Sequence, residues 1–146
     1  MAESRLRTAT ARCPCCGYVT LHERSGYEIC VLCWWEDDGQ DDPHADEVWG
    51  GPNGDLSLTQ ARRNFREHLT MYDRGRDTRV GGEDSDLEIQ AKREIVRALE
   101  RLRGRPMADD AEGLWENIAA NEGLLEAELQ RKTREYEQQG DAEQSV

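Results

Sequence analysis

The chain has 146 residues and a formal charge of -12, with 34% charged, 36% hydrophobic and only 6% aromatic residues. That length holds one domain with an appendage and excludes two sizeable cores. The acidic balance excludes a general nucleic-acid binder, whose affinity comes mainly from Lys and Arg meeting phosphates, and no apolar run reaches the length of a membrane span.

Residues 1–12 read as a flexible lead. The opening "MAESRLRTATARC" has no apolar h-region of the kind a secretory signal needs. The expectation is a cytoplasmic protein, where thiols stay reduced and disulfides are rare. Five cysteines, all before residue 34, then point to metal rather than to a disulfide framework. A metal would also brace a front half whose apolar core is thin.

Residues 13–80 read as a metal-binding module. "CPCCG" and "CVLC" each hold a Cys-x-x-Cys turn, Cys13 with Cys16 and Cys30 with Cys33. Two residues between sulfurs let a tight knuckle aim both at one ion, and structural zinc takes four such ligands tetrahedrally. The 13 residues between Cys16 and Cys30 leave room for a β-hairpin, with "YVTL" and "YEI" as strands and "RSG" as the turn. Gly17 supplies the positive φ needed after the first pair. Cys15 is the spare thiol in this register. Pairing Cys15 with Cys16, or Cys13 with Cys15, fits one ion poorly. A dithiol redox pair would prefer one Cys-x-x-Cys opening a helix in a βαβ unit, and ordinary buried cysteines are the remaining alternative. With four protein ligands no position stays open for water or substrate, so the expected role is one structural Zn²⁺ per chain. His22 is an alternate ligand on the hairpin, and His44 and His68 are weaker candidates.

The stretch from 34 to 60 holds eight acidic residues and no Lys or Arg. Glu36, Asp37, Asp38, Asp41 and Asp42 could take a hard cation, but their spacing is not that of an EF-hand loop. The plainer reading is a solvated acidic loop neutralised by Arg62, Arg63 and Arg66 on the following helix. "SLTQ" marks that helix's start, with Ser57 as N-cap and Gln60 reaching back, and Leu58, Ala61, Phe65 and Leu69 follow helical spacing. Residues 61–80 carry six Arg against one Glu and two Asp. "GGPNGD" lacks the Lys-Ser or Lys-Thr of a phosphate loop and reads as a turn.

Residues 81–139 read as a helical extension. "SDLE" at 85–88 is a second capping box, followed by a stripe of Leu87, Ala91, Ile95, Ala98, Leu99 and Leu102. "RGRP" ends this helix. A last helix from about Asp109 to Gln139 presents Leu114, Ile118, Leu125, Leu129 and Tyr136, with Gly123 placed to kink or split it. Trp115, beside that stripe, reads as a packing or contact residue, and residues 140–146 as a disordered tail. The fold class predicted is α+β: a small zinc-ribbon-like hairpin module with an adjoining helix, then a C-terminal helical hairpin.

"CPCCGYVTL", "YEICVLCWWEDDGQDD" and "GGPNGDLSLTQARRNF" together resemble the bacterial cysteine-rich CPCC family, over about Cys13 to Phe65. The resemblance implies a small zinc-binding protein and no particular reaction. It is loosely linked to immunity components encoded beside secreted toxins. It also draws attention to Trp34 or Trp35 as a buried anchor under the knuckles. The functional expectation is a non-catalytic protein, not an enzyme, whose acidic surface meets a basic protein partner. The alternatives are a nucleic-acid-binding zinc ribbon, using Arg62, Arg63, Arg66, Arg74, Arg76 and Arg79, and a metal-dependent enzyme using the acidic loop.

Overall fold

The computed structural model describes residues 4–144. The chain divides into an N-terminal unit, Arg5–Arg76, and a helical unit that contains Ser4 and resumes at Asp77.

The N-terminal unit holds strands β1 (Ala11–Arg12) and β2 (Val19–Leu21), short 3-10 turns, and helix α1 (Leu58–His68). It is an α+β arrangement with one correction to the expected hairpin. β1 pairs antiparallel with β2, Ala11 opposite Leu21 and Arg12 opposite Val19, so the hairpin closes over the first cysteine pair instead of joining the two pairs. "YEI" contributes only an isolated bridge, Ile29 opposite Glu36. The positive φ of Ser25 and Tyr27 bends the intervening chain out of a two-stranded ladder. The lead is also corrected over residues 4–12. Leu6 is buried in a 3-10 turn, and Thr10 donates its backbone N–H to Leu21 O at 2.9 Å. One apolar side chain and one strand pairing suffice to tie this segment down.

Ser57 caps α1, its Oγ accepting from Gln60 N at 3.1 Å. Gln60 does not reach back. Its amide donates instead to Asn64 Oδ1 and Asp73 Oδ1, so half of the expected capping box forms. Leu58, Ala61 and Phe65 are buried, and Leu69 ends the helix in the left-handed region at φ 66. The small core of this unit is built on Leu6, Leu21, Leu32, Trp35, Leu58, Phe65 and Met71.

The helical unit is an α2 (Asp86–Arg103) and α3 (Ala108–Gln144) pair packed on each other. The Ser85 capping box is complete, with Ser85 and Glu88 each bonding the other's backbone N–H. α3 runs unbroken through Gly123, because helix formers on both sides outweigh the roughly 1 kcal/mol cost of a glycine. The tail expected at 140–146 is helical through Gln144, while residues 1–3, 145 and 146 lie outside the described residues.

The seam between α2 and α3 is half apolar and half charged. Ala91, Ile95, Ala98 and Leu99 on α2 and Ile118 and Leu125 on α3 are buried, but so are Glu88, Lys92, Glu128 and Lys132. Leu129 and Tyr136, expected on the buried stripe of α3, are exposed, as is Leu87 on α2. Lys132 Nζ meets Glu88 Oε1 at 2.6 Å and Glu83 O at 3.0 Å. Lys92 Nζ meets Asp84 Oδ2 at 2.5 Å, and Arg79 joins Asp84 at 2.9 Å and Asp77 at 2.6 Å. Lys92, Lys132 and Glu88 each meet a partner of opposite sign from outside their own helix, while Glu128 meets Arg131 on its own helix and the Ser85 hydroxyl.

Among the described residues no helix is long and apolar enough to cross a membrane.

Candidate metal centre

The two Cys-x-x-Cys turns are built on the same backbone plan. In the first, Cys13 N donates to Tyr18 O at 2.8 Å and Gly17 N to Cys13 O at 2.9 Å; in the second, Cys30 N donates to Trp35 O and Trp34 N to Cys30 O, both at 2.9 Å. A short antiparallel bracket flanks each turn, β1 with β2 for the first and Ile29 with Glu36 for the second. The residue after each second cysteine is left-handed, Gly17 at φ 80 and Trp34 at φ 70. Sequence reading found Gly17 in this role but not Trp34, since a tryptophan gives no hint of positive φ.

These brackets bring four sulfurs together. Cys13, Cys16, Cys30 and Cys33 have sulfurs all within 4.8 Å of one another, and this group could hold a metal ion. Cys13 and Cys33 are 3.6 Å apart and Cys16 and Cys30 3.7 Å. A disulfide would need about 2.05 Å, and the cysteines are free. A tetrahedron with metal–sulfur bonds of about 2.3 Å has edges of about 3.8 Å, so the separations fit a tetrathiolate site and are consistent with zinc. Backbone N–H groups of Cys33 and Trp35 approach Cys30 and Cys33 sulfurs at 3.5 Å. The Thr20 hydroxyl lies 3.1 Å from Cys30 Sγ. Such donors stabilise thiolate charge around a metal.

The protonation chemistry points the same way. Burial pushes the Cys16 and Cys33 thiols well up. Cys30 is drawn well down against its own burial by hydrogen bonds from Cys13, Cys16 and Cys33. Four sulfurs packed so closely in a buried pocket cannot all ionise together unless a cation lies among them, and a coordinating cation deprotonates its thiols outright.

Cys15 is buried but outside this group. Its hydrogen bond with Cys33 lowers its pKa, but burial and the charges of Cys13 and Cys30 outweigh that and leave the thiol above its ordinary value. His22 does not join the sulfurs either: its Nδ1 meets Glu28 Oε2 and its Nε2 meets Thr8 Oγ1, both at 2.8 Å. Thr8 spends its hydroxyl proton on Arg5 O, so this threonine–imidazole–carboxylate chain braces the lead and does not ready a nucleophile. His44 Nδ1 lies 2.5 Å from Glu47 Oε2, and His68 Nε2 meets Tyr72 O at 2.6 Å.

The surrounding chain holds both turns in place. Met71 N donates to Cys33 O at 2.8 Å. Arg62 Nε donates to Pro14 O at 2.8 Å, and its Nη2 meets Asp42 Oδ1 at 2.6 Å. Trp35 is fully buried, while Trp34 is half-buried. One side chain of α1 therefore touches the first cysteine turn and the acidic loop at once.

The acidic loop is more organised than its composition suggests. Asp37 is fully buried and accepts from Arg24 Nε at 3.0 Å, Ser25 N at 2.6 Å and Gly39 N at 3.2 Å. Asn53 accepts from Glu36 N and donates to Glu36 O. Arg24 also pairs with Asp41 at 2.8 Å. Arg63 and Arg66 are exposed, so the expected neutralisation by three helix arginines is corrected: Arg62 shares it with Arg24 and Arg76. Arg24 was missed because it lies in another segment, and no local pattern links it to Asp37. Among the described residues the carboxylates form no cluster of convergent ligand atoms; only the cysteines do.

The shared plan makes a direct test possible. Gly17 has open space where a Cβ would stand, so Gly17→Ala pays only for a left-handed alanine, about 1–2 kcal/mol. The variant is expected to melt earlier by that amount with its metal stoichiometry unchanged, as read by calorimetry and elemental analysis.

Residues 11–82 match the family described as Cysteine-rich CPCC, a longer span than the quoted motifs cover. Neither a curated protein nor a solved structure matches the chain.

Proposed function

With residues 11–82 matching the Cysteine-rich CPCC family, we propose that the protein is a non-catalytic zinc-binding protein whose acidic face binds a basic protein partner. The four cysteines would hold one structural Zn²⁺, closed to substrate because all four positions are protein sulfurs. The observation that carries the reading is the acidic loop. Its carboxylates stand on a backbone held by buried Asp37, Gln40 and Asn53, and Arg62 links Asp42 to Pro14 inside the first cysteine turn. A net-acidic surface fixed in shape speeds the approach of a cationic partner and disfavours anionic ones. An immunity- or antitoxin-type inhibitor of a cationic protein is the most concrete form of this role, and a cytoplasmic setting with reduced thiols suits it.

A binding measurement across ionic strength tests the reading. Retention of a basic protein on the immobilised chain should be strong at about 0.05 M salt and weak at about 0.5 M. An Asp46→Lys, Glu47→Lys double variant should lose it. Retention that ignores both salt and charge reversal counts against the proposal. The nucleic-acid alternative is disfavoured because three of its six arginines are engaged: Arg62 with Asp42, Arg76 with Asp55 and Arg79 with Asp77. A gel shift without a retarded species would remove it. The metal-dependent enzyme would need a second metal beside the zinc.

A further inference from the structure

The loop after the acidic cluster holds an apolar pair in water. Val48 is 57% exposed and Trp49 45%. The chain has four tryptophans and one phenylalanine, so it spends scarce aromatic area on solvent here. The loop is nonetheless firmly braced. Gln40 is 1% exposed, and its Nε2 donates to His44 O and Glu47 O, both at 2.7 Å. Ala45 O accepts from Thr59 N at 2.9 Å, and Asp46 Oδ1 accepts from Thr59 Oγ1 at 2.6 Å, so the start of α1 fastens it from the other side. The His44 ring lies 5.8 Å from the Trp49 ring, tilted by 50°.

We propose that Trp49 and Val48 are the contact hot spot for a basic partner, and that Trp49 receives an arginine side chain on its indole face. This rests on the acidic-face reading above and names where the partner's anchor would sit. Exposed tryptophans on pre-ordered backbone are what binding hot spots are made of, because little conformational freedom is lost on contact. The occupant follows from charge. Asp46 and Glu47 precede the apolar pair and Asp55 follows it, all three exposed. An arginine is the side chain that satisfies both features, since its planar cation stacks on an indole while its N–H groups reach carboxylates. Asp55 already has Arg76, but an apolar partner would bring no cation to Asp46 and Glu47, and an anionic one would be repelled.

The experiment uses the full metal-loaded chain and an N-acetylated peptide of alternating Arg and Gly, with its neutral citrulline counterpart, measured by calorimetry. Wild type should bind the arginine peptide and not the citrulline one. Trp49→Ala should weaken binding about fivefold to tenfold, Trp49→Phe should recover most of that loss, and Asp55→Asn should change it less than twofold. Circular dichroism and metal content should stay unchanged, as the side chain is at the surface. If Trp49→Ala binds as tightly as wild type and keeps the salt dependence, the hot spot is overturned and the acidic face stands. If wild type ignores the arginine peptide even at low salt, the acidic-face reading itself falls. Self-association of wild type that Trp49→Ala abolishes would overturn the proposal in favour of a second copy as occupant.

Discussion

Replacing Cys30 with serine should unfold the N-terminal unit, and a strong chelator should do the same to the unmodified chain. Cys30 is fully buried, next to Cys16 and Thr20. Metal binding contributes about 10 kcal/mol or more in comparable small sites, while a whole domain's net stability is about 5–15 kcal/mol. The unit's apolar core is a handful of side chains, so its fold cannot survive subtraction of a term that large. Elemental analysis should give one zinc per chain for wild type and near none for Cys30→Ser, with far-UV dichroism losing the N-terminal contribution and retaining the α2–α3 signal. Cys15→Ser should keep the metal. A chain that held its N-terminal fold after chelation, or lost metal equally with Cys15→Ser, would refute the tetrathiolate assignment.

Asp84→Asn should destabilise the helical unit by about 3–5 kcal/mol, since it removes one partner from a buried ion cluster. Asp84 is the carboxylate shared by Lys92 and Arg79, whose side chains are 1% and 8% exposed. The control is Arg97→Ala, which breaks an exposed pair with Glu94 and should cost under about 0.5 kcal/mol. Acid gives a second reading of the same cluster. Burial alone would raise the Asp84 pKa, but the Lys92 and Arg79 charges overcome it and hold the carboxyl below its ordinary value. A depressed folded-state pKa means that the stabilisation is complete above the unfolded value, about 3.9, and is lost as pH falls through the folded one. Urea titrations should therefore show the α2–α3 unit weakening below about pH 4, and Asp84→Asn should flatten that dependence. Equal losses for the buried and exposed variants would show that the cluster is not a structural element.

What the sequence reveals depends on how local each cause is. The Cys-x-x-Cys spacing, the Ser57 and Ser85 caps and the Ala91–Leu99 stripe are set within a few residues, and all were legible. The hairpin was misplaced because "YVTL" can pair forward or backward with equal propensity. The choice falls to the residues before Cys13, which composition had marked as a lead. The burial of Lys132 leaves no local mark, because it is justified by Glu88 and Glu83 O, more than forty residues away in sequence. In the acidic loop the sign of the charge was plain, but the buried Asp37–Arg24 pair was not. Trp34 could not be foreseen in a glycine's conformation, because only the matching backbone of the first turn reveals it.

The charged half of the helical seam has one more effect. Glu88 on α2 stands against Lys132 on α3. If the two antiparallel helices slipped by one heptad, then in one direction Glu88 would face Leu125 and in the other Lys132 would face Ile95, both buried apolar positions. Either way a charge would be marooned against hydrocarbon, at a cost that leucine and alanine facing one another would never impose. The ion pair thus works as a ruler, adding little cohesion of its own while letting only one alignment of the two helices persist.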